Sequence, residues 1–430
     1  MVRGKNLAVE DEWVAGVDLD AFKADMDELK VELEVAQGPE HEAHFHKIRF
    51  YTELFAVLGT AAMYLPVQWL VAPVLLGIAT TARWTMVGHH TCHGGYDWLK
   101  QPKFNRFQFA AGPWRRAIDW FDWMLPEAWN TEHNNLHHYH LGEATDPDLV
   151  ESNLDFLRRL PIPQVLKRLA VAIMACVWKW WYYAPNTFKH LVHQRNPKLL
   201  EGSNSHEPWI ITDLLFKQPL DFLAVFTEAL LPYAAYKFGV YPLPWLVLGY
   251  DAYINALWCV VLADVVANMY SFVIIVTNHA GNDLYRFDTP CAPYSGDFYL
   301  RAVVSSANFA TGTDAIDFAH GWLNYQIEHH CFPTLSMLSY QQSQPRVKAL
   351  CDKHGIPYVQ ESVFKRLLQL VNVMVGASSM RLYPEGVCAP SKAGKARKVA
   401  VSASVCASVI DTSTRRSPRI SKRRLGLTSE

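Results

Sequence analysis

The sequence has almost no net charge and no paired cysteine motif, and each absence excludes a class of protein. Its 430 residues carry a formal net charge of −1, whereas nucleic-acid-binding domains are usually basic. The eight cysteines are scattered and form no C-x-x-C pair, which argues against a structural zinc site and a disulfide framework. These patterns favour reduced thiols in a cytosol-facing protein that does not bind nucleic acid.

The N-terminal region lacks a targeting signal. Residues 1–35 are acidic, contain no apolar core of the signal-peptide type, and are too poor in serine and too rich in acid for a transit peptide. Any membrane insertion is therefore expected to use internal segments. Residues 17–37 alternate charged and apolar positions at helical spacing, which predicts a soluble amphipathic helix.

Apolar residues are abundant, at 50% of the chain, and two regions concentrate them. Residues 50–84 are too long for one membrane crossing of about 20 residues and break near Pro66, which predicts a hairpin of two short helices. Residues 221–278 contain two further candidate crossings. Residues 164–186 have an apolar centre flanked by Lys, Arg and aromatic residues, which favours an interfacial helix over a third crossing of its own.

These regions divide the chain into three parts. We predict a soluble N-terminal segment at residues 1–48, a membrane domain at residues 49–386 and a disordered basic tail at residues 387–430. The tail is rich in serine and basic residues and has almost no aromatic residues. The predicted fold class is an all-α integral membrane protein with two transmembrane hairpins, about four crossings, and a cytosolic helical cap.

Three clusters stand out among the 18 histidines. "GHHTCHGGYD" contributes His89, His90 and His93, "WNTEHNNLHHYHLGE" contributes His133, His137, His138 and His140, and "NYQIEHHCFP" contributes Gln326, His329 and His330. Each cluster has two such side chains four residues apart, and residues at this spacing share one face of a helix. Imidazole suits iron, copper, zinc and nickel. The clusters offer more ligands than one ion needs and predict two ions in a shared site.

The predicted hairpins place all three clusters on one side of the membrane. The first two clusters follow the first hairpin and the third follows the second hairpin. An even number of crossings therefore separates them, as a shared site requires. Lysine and arginine between residues 100 and 167 indicate that this side is cytosolic.

The remaining histidines fit ordinary polar roles. We interpret His190, His193, His206 and His354 as polar or surface residues, and His41, His44 and His46 as solvated loop residues. The H-E-x-x-H motif of zinc proteases is absent. The clusters also lie outside the apolar runs, which argues against a haem site inside the membrane.

Taken together, the three clusters resemble the histidine boxes of the membrane fatty-acid desaturases. The motifs H-x-x-x-H, H-x-x-x-H-H and Q-x-x-H-H occur in that order, and "LNYQIEHHCFP" is similar to the third box of the front-end desaturases. The resemblance covers roughly residues 50–350. It implies a histidine-rich di-iron site in the cap, with His89, His93, His133, His137, His138, His329 and His330 as iron ligands and Gln326 lining the site.

The resemblance also implies a ligand just after the last crossing, where "VTNHAGND" places His279 behind Asn278. Neighbours expected to hold the second ring nitrogen of the ligands are Glu132, Asn278, Asp146 and Glu328, with Asn134, Asn135, Glu143 and Asp148 as further candidates. Many family members have aspartate where this chain has His90. His140 and His320 are histidines beyond those expected as ligands. Trp123, Trp129 and Trp322 are candidates for lining an acyl channel.

Removing two hydrogens from an unactivated methylene pair requires a metal-based oxidant made from O₂, because no side chain supplies one. The resemblance thus implies an O₂-dependent desaturase that acts on a fatty-acyl or lipid substrate. Because no transit peptide is visible, we expect it in the membrane of the endoplasmic reticulum, with a plastid membrane as the alternative. Because the chain has no H-P-G-G haem motif, we expect a separate electron donor, either a cytochrome-b-type haem protein or a ferredoxin.

Two alternatives stay open at this point. The same scaffold suits a sphingolipid desaturase or a di-iron lipid hydroxylase, since a small change in substrate placement redirects the oxidant. A different class, a non-catalytic membrane protein that binds metal or haem, would hold metal without consuming O₂.

Overall fold

In a computed structural model that describes residues 7–196 and 208–384, the chain is built predominantly from helices. Two short strands, Tyr285–Arg286 (β1) and Arg381–Leu382 (β2), pair in parallel with Tyr285 opposite Arg381. Shorter helical segments connect the long helices described below: Val9–Gly16, Ala62–Tyr64, Val67–Trp69, Asp97–Leu99, Pro102–Phe104, Gly112–Asp119, Pro126–Trp129, Asn130–His137, His138–His140, Val150–Asn153, Asp155–Arg159, Lys179–Tyr183, Ile211–Lys217, Leu243–Leu248, Asp314–Ala319 and Leu323–Tyr325.

Helix α1 (Leu19–Ala36) is the amphipathic helix predicted at residues 17–37. Asp18 caps its N-terminus, because its side chain accepts hydrogen bonds from the backbone N–H groups of Asp20 and Ala21. Its buried side chains are Phe22, Met26, Leu29 and Leu33, which recur at helical spacing. Each contributes about 1.5–3 kcal/mol by leaving water.

The first apolar region forms a helical hairpin, as predicted. Helix α2 (Pro39–Ala61) begins at a proline, which is tolerated in the first turn because its missing N–H has no intrahelical partner there. Helix α3 (Val71–Cys92) returns alongside α2. The chain reverses between them around Pro66, and Leu70 adopts a left-handed conformation with φ of 56°.

The interpretation of His41, His44 and His46 as solvated loop residues is wrong, because all three lie in α2. His46 is partly exposed, whereas His41 and His44 are buried. His41 Nδ1 lies 2.7 Å from Ser336 Oγ, and His44 Nε2 lies 3.3 Å from an Asp314 carboxylate oxygen. The reason is that α2 begins well before the apolar run, so its polar first half packs against the rest of the protein.

The second apolar region also forms two antiparallel arms. The first arm is helical over the consecutive segments Pro219–Val225, Phe226–Leu230, Leu231–Ala234 and Ala235–Val240, and the second arm is helix α6 (Tyr250–Asn278). Two helices, α4 (Gln164–Ala175) and α5 (Ala184–Arg195), lie between the two hairpins in the chain. Helix α6 packs mainly on α3, which joins the two hairpins.

The turns of the two hairpins lie side by side at the end of the bundle away from the histidine clusters. The Asn255 side chain donates hydrogen bonds to the carbonyl oxygens of Met63 and Leu65, at 2.8 and 2.9 Å, and accepts one from the Val67 N–H at 2.9 Å. The rings of Tyr64 and Trp245 meet at 6.2 Å. One polar side chain of the second hairpin therefore satisfies three backbone groups of the first turn.

Two helices in the described part of the chain, α3 (Val71–Cys92) and α6 (Tyr250–Asn278), are long and apolar enough to cross a membrane. The other two arms carry charged side chains, such as Glu53 in α2 and Glu228 and Lys237 in the segment 219–240. The structure thus has two helical hairpins, and the number of membrane crossings stays a prediction.

Helix α4 lies where an interfacial helix is predicted and exposes one apolar face, formed by Val165, Leu166, Leu169 and Ile173. Its opposite face is fastened to the protein: Arg168 donates to Asn372 Oδ1 at 2.7 Å, and Lys167 donates to the Arg158 carbonyl at 2.6 Å. This one-sided pattern is typical of a helix that lies at a membrane surface.

Four further helices form a cap over the ends of α3 and α6. They are α7 (Gly296–Val304), α8 (Gln326–Cys331), α9 (Met337–His354) and α10 (Val363–Met374). The N-terminal residues pack onto this cap, because Asp27 accepts from the Tyr299 hydroxyl at 2.9 Å and Asp25 lies 2.6 Å from His354 Nε2. The domain boundary at residue 48 falls inside α2 and stays a prediction, and the predicted tail at residues 387–430 lies outside the described residues.

Substituting Gly77 should destabilise the contact between α3 and α6. A Cβ at Gly77 would lie 2.6 Å from Val266 Cγ1 and 3.1 Å from the Ala263 carbonyl oxygen, and overpacking typically costs about 1–3 kcal/mol. We expect Gly77→Leu to lower the thermal unfolding midpoint of the detergent-solubilised protein. Gly239→Leu is the matched control, because its Cβ would meet nothing within 4 Å; equal midpoints for the two variants would contradict the close packing.

Candidate metal centre

The first histidine cluster lies in the last turn of α3. The helix widens into a π-helical turn at Arg83–Gly88 before the turn His89–Cys92, and such π-turns are frequent at functional sites. Gly88 lets the Trp120 ring pack closely, because a Cβ there would lie 3.1 Å from Trp120 Cδ2. His89 and His93 are buried with ring centroids 4.9 Å apart, so the four-residue spacing brings these imidazoles together as predicted.

The second cluster lies in a π-helix, Asn130–His137, that continues into His138–His140. A π-helix repeats between residues i and i+5 rather than i and i+4. His133 is therefore aligned with His138, and their ring centroids are 4.9 Å apart. His137 stacks on His133 at a centroid distance of 5.2 Å and also contacts His279 at 4.9 Å. The pairing of His133 with His137 expected from their four-residue spacing is therefore present, and the π-helix adds the pairing of His133 with His138.

The third cluster is helix α8, which is buried along its whole length. Trp322 precedes it in a left-handed conformation with φ of 60°. Gln326 and His330, four residues apart, bring their Nε2 atoms within 3.2 Å of each other. Both approach the His279 Nε2 atom, at 2.9 Å from Gln326 and 3.2 Å from His330. His329 points the other way, toward His89.

The clusters and His279 meet in two adjacent groups of side chains. The first group is His89, His93, His133, His138 and His329, and the second is His137, His279 and His330, beside Gln326. Within each group the potential ligand atoms lie within 4.8 Å of one another. His133 and His137 also form a third, overlapping group with Asp148. All the histidines predicted as ligands are thus brought together in one region.

The chemistry of these donors fits a metal cation. His89 Nε2 lies 3.1 Å from His133 Nε2 and 3.0 Å from His329 Nε2. A neutral imidazole has one N–H and one lone pair, so three converging Nε2 atoms cannot all satisfy one another. In the described part of the chain, His93 Nε2 and both ring nitrogens of His138 are buried without a hydrogen-bond partner. In the second group, His279 Nε2 and His330 Nε2 converge at 3.2 Å. A cation in each group would accept these lone pairs.

Burial keeps most of these imidazoles neutral, which is the form that binds metal. Loss of water, reinforced by the neighbouring histidines, holds the pKa of His133, His138, His329 and His330 well below the usual value. Burial likewise lowers the pKa of His279 to about 3. The site is therefore prepared to bind a cation without first releasing protons from these rings.

His137 is held by a buried carboxylate. Its Nδ1 atom lies 2.8 Å from Asp146 Oδ1. Burial lowers the pKa of His137, but the charges of Asp146 and Asp148 and the hydrogen bond to Asp146 together raise this pKa above its usual value. Asp146 is fixed in turn by the backbone N–H groups of Gly142, at 2.8 Å, and Asp148, at 2.9 Å. A carboxylate that accepts the Nδ1–H leaves Nε2 free for a metal. This is the contact expected of Asp146, although its role there stays a prediction.

Two other ring contacts were not predicted, because no local motif signals them. His279 Nδ1 lies 3.2 Å from the Ser305 carbonyl oxygen, to which it donates in the tautomer that leaves Nε2 free. His329 Nδ1 lies 3.3 Å from the Tyr340 hydroxyl. Both partners are distant in sequence from the histidine they contact.

The other predicted neighbours form different hydrogen bonds. Glu132 accepts from the Tyr183 hydroxyl at 3.3 Å, and burial together with Asp148 raises the pKa of Glu132. Glu328 accepts from the Tyr358 hydroxyl at 2.7 Å and from Asn308 at 2.8 Å, and burial raises its pKa to about 7. Asn278 donates to the Leu323 carbonyl at 3.1 Å. These bonds fix the backbone and helices around the ligands rather than their rings.

The additional histidines lie outside both groups. His90 is fully buried, with its ring centroid 5.9 Å from that of His329 and its ring nitrogens without hydrogen-bond partners among the described residues. His140 Nδ1 lies 2.8 Å from Glu143 Oε2. His320 Nδ1 lies 2.8 Å from the Ile316 carbonyl oxygen.

A partly open cavity adjoins both histidine groups. Its polar wall includes His89, His133, His137, His279 and Gln326, and its apolar wall includes Trp84, Trp129, Tyr183, Ile275 and Leu323. Trp84 belongs to α3 and Ile275 to α6. The cavity therefore lies between the apolar helices and the histidines, where an apolar chain could reach both groups.

Of the three tryptophans predicted to line a channel, Trp129 lines this cavity and stacks on His133 at a centroid distance of 4.5 Å. Trp123 instead donates to Asp264 at 2.6 Å, and Trp322 donates to the Met337 carbonyl at 3.0 Å. Trp84 was not predicted, because nothing in its local sequence distinguishes it from an aromatic residue at a membrane surface.

Comparisons with known proteins agree with this geometry. The profile of one protein family, described as fatty acid desaturase, matches residues 66–362. An "NADPH-dependent stearoyl-CoA 9-desaturase" of Mycobacterium tuberculosis is 24% identical over 368 residues, which cover 80% of this chain and 76% of the relative. "Delta(5) fatty acid desaturase A" of Dictyostelium discoideum is 23% identical over 264 residues, covering 57% of this chain and 52% of the relative.

"Fatty acid desaturase 3" of Bos taurus is 45% identical over a short stretch of 56 residues, which covers 13% of each chain. No solved structure matches the chain significantly.

Replacing the carboxylate that holds His137 should weaken metal binding. Asp146→Asn keeps the size of the side chain but removes the charge that accepts the imidazole N–H, and such partners typically affect metal affinity about 10–100-fold. We expect the variant to lose metal to a competing chelator at a correspondingly lower chelator concentration. Asp155→Asn is the control, because Asp155 pairs only with Arg159 at the surface; indistinguishable curves for the two variants would contradict this role of Asp146.

Proposed function

The chain belongs to the fatty acid desaturase family and is an O₂-dependent acyl desaturase, and from that premise we propose that its histidine centre holds two iron ions. The first iron would be bound by His89, His93, His133, His138 and His329, and the second by His137, His279, His330 and Gln326. The observation that carries this proposal is the division of the buried histidines into two adjacent groups on the wall of one cavity.

The number of donors supports two ions rather than one. Five imidazoles in the first group would occupy most of the coordination positions of one first-row metal, and the second group has its own histidines at a separate point. Imidazole is a ligand shared by iron, zinc, copper and nickel. Iron is proposed because the reaction consumes O₂ and electrons, and a redox-inactive ion such as zinc cannot take part in electron transfer.

The proposed reaction is R–CH₂–CH₂–R′ + O₂ + 2 e⁻ + 2 H⁺ → R–CH=CH–R′ + 2 H₂O. The acyl chain loses two electrons and two hydrogens, the donor supplies two electrons, and O₂ is reduced by four electrons to two water molecules. When bound, the iron pair would supply the oxidising power for C–H cleavage, which no side chain provides.

The protein's own contribution is to orient the acyl chain and exclude water. Trp129 covers the centre, stacking on His133 and packing edge-on against His89 at a centroid distance of 5.5 Å. Trp84, Ile275 and Leu323 give the cavity an apolar surface, so an alkyl chain would enter more favourably than water. The half-buried Asp148 and the buried Gln326 complete the wall that would face the ions.

The substrate is proposed to be a fatty-acyl chain carried by CoA or by a membrane lipid. The two relatives that match over more than half of this chain are named for stearoyl-CoA and position 9 and for a fatty acid and position 5. Both names specify a fatty-acyl substrate, and they differ in the position of the double bond. The electron donor is proposed to be a separate cytochrome-b-type haem protein or a ferredoxin.

We also propose that both hairpins cross the membrane of the endoplasmic reticulum, with the histidine centre on the cytosolic side. The support is the contact between the two hairpin turns through Asn255, which places both turns at the same level. A plastid membrane is the alternative location.

Inserted glycosylation acceptors would test this arrangement. We expect flexible inserts carrying Asn-x-Ser between Pro66 and Leu70, and between Pro242 and Gly249, both to be glycosylated in microsomes, since both turns would face the lumen. The same insert near Lys103 should stay unmodified. Modification of the Lys103 insert, or of one turn alone, would contradict four crossings with a cytosolic centre.

The activity itself is tested by the fatty-acid profile of a host that expresses the chain with an electron donor. We expect a new unsaturated fatty acid with the wild type and none with His329→Ala, because His329 lies in the first histidine group. His46→Ala is the matched control: His46 is partly exposed beside Glu42 and should leave the product unchanged. Hydroxylated or sphingoid products in place of the fatty acid would support the alternative reactions, and no product from a well-expressed wild type would contradict the proposal.

A further inference from the structure

His279 is the first residue after α6, so the loop that it begins determines where its ring lies. The proposed ligands of the first group come from helices or from the turn that ends α3, whereas His279 has non-helical backbone angles, φ −119° and ψ 14°. Its Nε2 atom must nonetheless stay within 3.2 Å of His330 Nε2. The Ser305 carbonyl contacts its ring, but something must also hold its backbone.

A buried arginine holds the backbone of this loop. Arg366, on α10, has no exposed surface. Its Nη1 atom donates to both carboxylate oxygens of Asp283, at 2.8 and 2.7 Å, and its Nη2 atom donates to the Ala280 carbonyl at 3.1 Å. One guanidinium therefore joins the residue next to His279 to a residue four positions beyond His279.

Gly281 allows the guanidinium to reach the loop. A Cβ at Gly281 would lie 2.4 Å from Arg366 Nη2 and 2.5 Å from Asp283 Oδ1. Any side chain at this position would push the arginine or the carboxylate away. The arrangement also depends on arginine, because one planar guanidinium places Nη1 at the Asp283 carboxylate and Nη2 at the Ala280 carbonyl oxygen. The ammonium of a lysine is a single point of charge without this fixed geometry.

We propose that Arg366 is a positioning residue for the second metal site, acting through the loop Ala280–Asp283 on His279. The inference rests on the proposed two-ion function. It is specific to one site, because the first histidine group contains no residue of this loop. Replacing the arginine should therefore weaken the binding of the second ion and leave the binding of the first ion unchanged.

A merely structural role, in which Arg366 only fastens α10 to the protein, makes a different prediction. Arg158 also fastens α10, near its other end: it donates to the Val373 carbonyl and to Glu151 at 3.0 Å, and it does not bond the loop Ala280–Asp283. Loosening α10 at Arg158 should therefore leave His279 in place. Arg158→Lys is the matched control for Arg366→Lys.

The experiment is an anaerobic titration of the metal-free, full-length protein in detergent with Fe(II), which measures the number of ions per chain and the affinity of each. Wild type is expected to bind two ions. Arg366→Lys, Asp283→Asn and Gly281→Ala are expected to keep the first ion at wild-type affinity and to bind the second about 10-fold or more weakly. Arg158→Lys should bind both ions as wild type does.

Mössbauer spectra of the ⁵⁷Fe-loaded proteins give an independent readout, in which one iron signal of the Arg366 variant should change and the other should persist. If one variant fails to fold, as judged by its thermal unfolding, the other two loop variants decide. If the folded loop variants bind both ions with wild-type affinity, the role of Arg366 is contradicted while the two-ion function stands. The same holds if Arg158→Lys loses as much affinity for the second ion as Arg366→Lys does. Fewer than two ions on wild type would overturn the proposed two-ion function and the inference with it.

Discussion

The structure depends on one costly arrangement, the placement of eight imidazole rings, seven buried and that of His279 half-buried, around two neighbouring points. Nε2 atoms of different rings approach within 3.0–3.2 Å of each other, and where three of them converge they cannot all be hydrogen-bonded to one another unless a cation accepts the remaining lone pairs. Each ring must therefore be held by elements that gain their stability elsewhere. The aromatic core around Trp84, Trp120 and Trp129 and the fixed carboxylate of Asp146 supply that support.

The two hairpins make this arrangement possible, because they deliver the ends of α3 and α6 to the same level. At the far end, Asn255 joins the two turns, and along the helices Gly77 allows α3 and α6 to pack closely. The helical turns Asn130–His137 and His138–His140 then add the second cluster, and the cap adds α8. The lengths of the helices and the contact between their turns thus set the position of the metal centre, and the cavity between helices and cap is where an acyl chain would meet it.

Much of this could be predicted from the sequence, because its signals are local. The spacing of His89 and His93 on one helix face, the break at Pro66 and the amphipathic pattern of α1 depend on neighbours within a few residues. The π-helix at Asn130–His137, the burial of His41 and His44 and the contacts of Ser305, Tyr340 and Arg366 were missed. These depend on tertiary packing between residues far apart in the chain, for which the sequence carries no short-range pattern.

The most direct test of a two-iron centre built from the three histidine clusters is iron X-ray absorption on the purified, metal-loaded protein, combined with the iron count per chain. Two irons per chain, each showing the outer-shell scattering of imidazole rings, would agree with the division into two histidine groups. A single iron, a haem spectrum or the absence of imidazole scattering would contradict it.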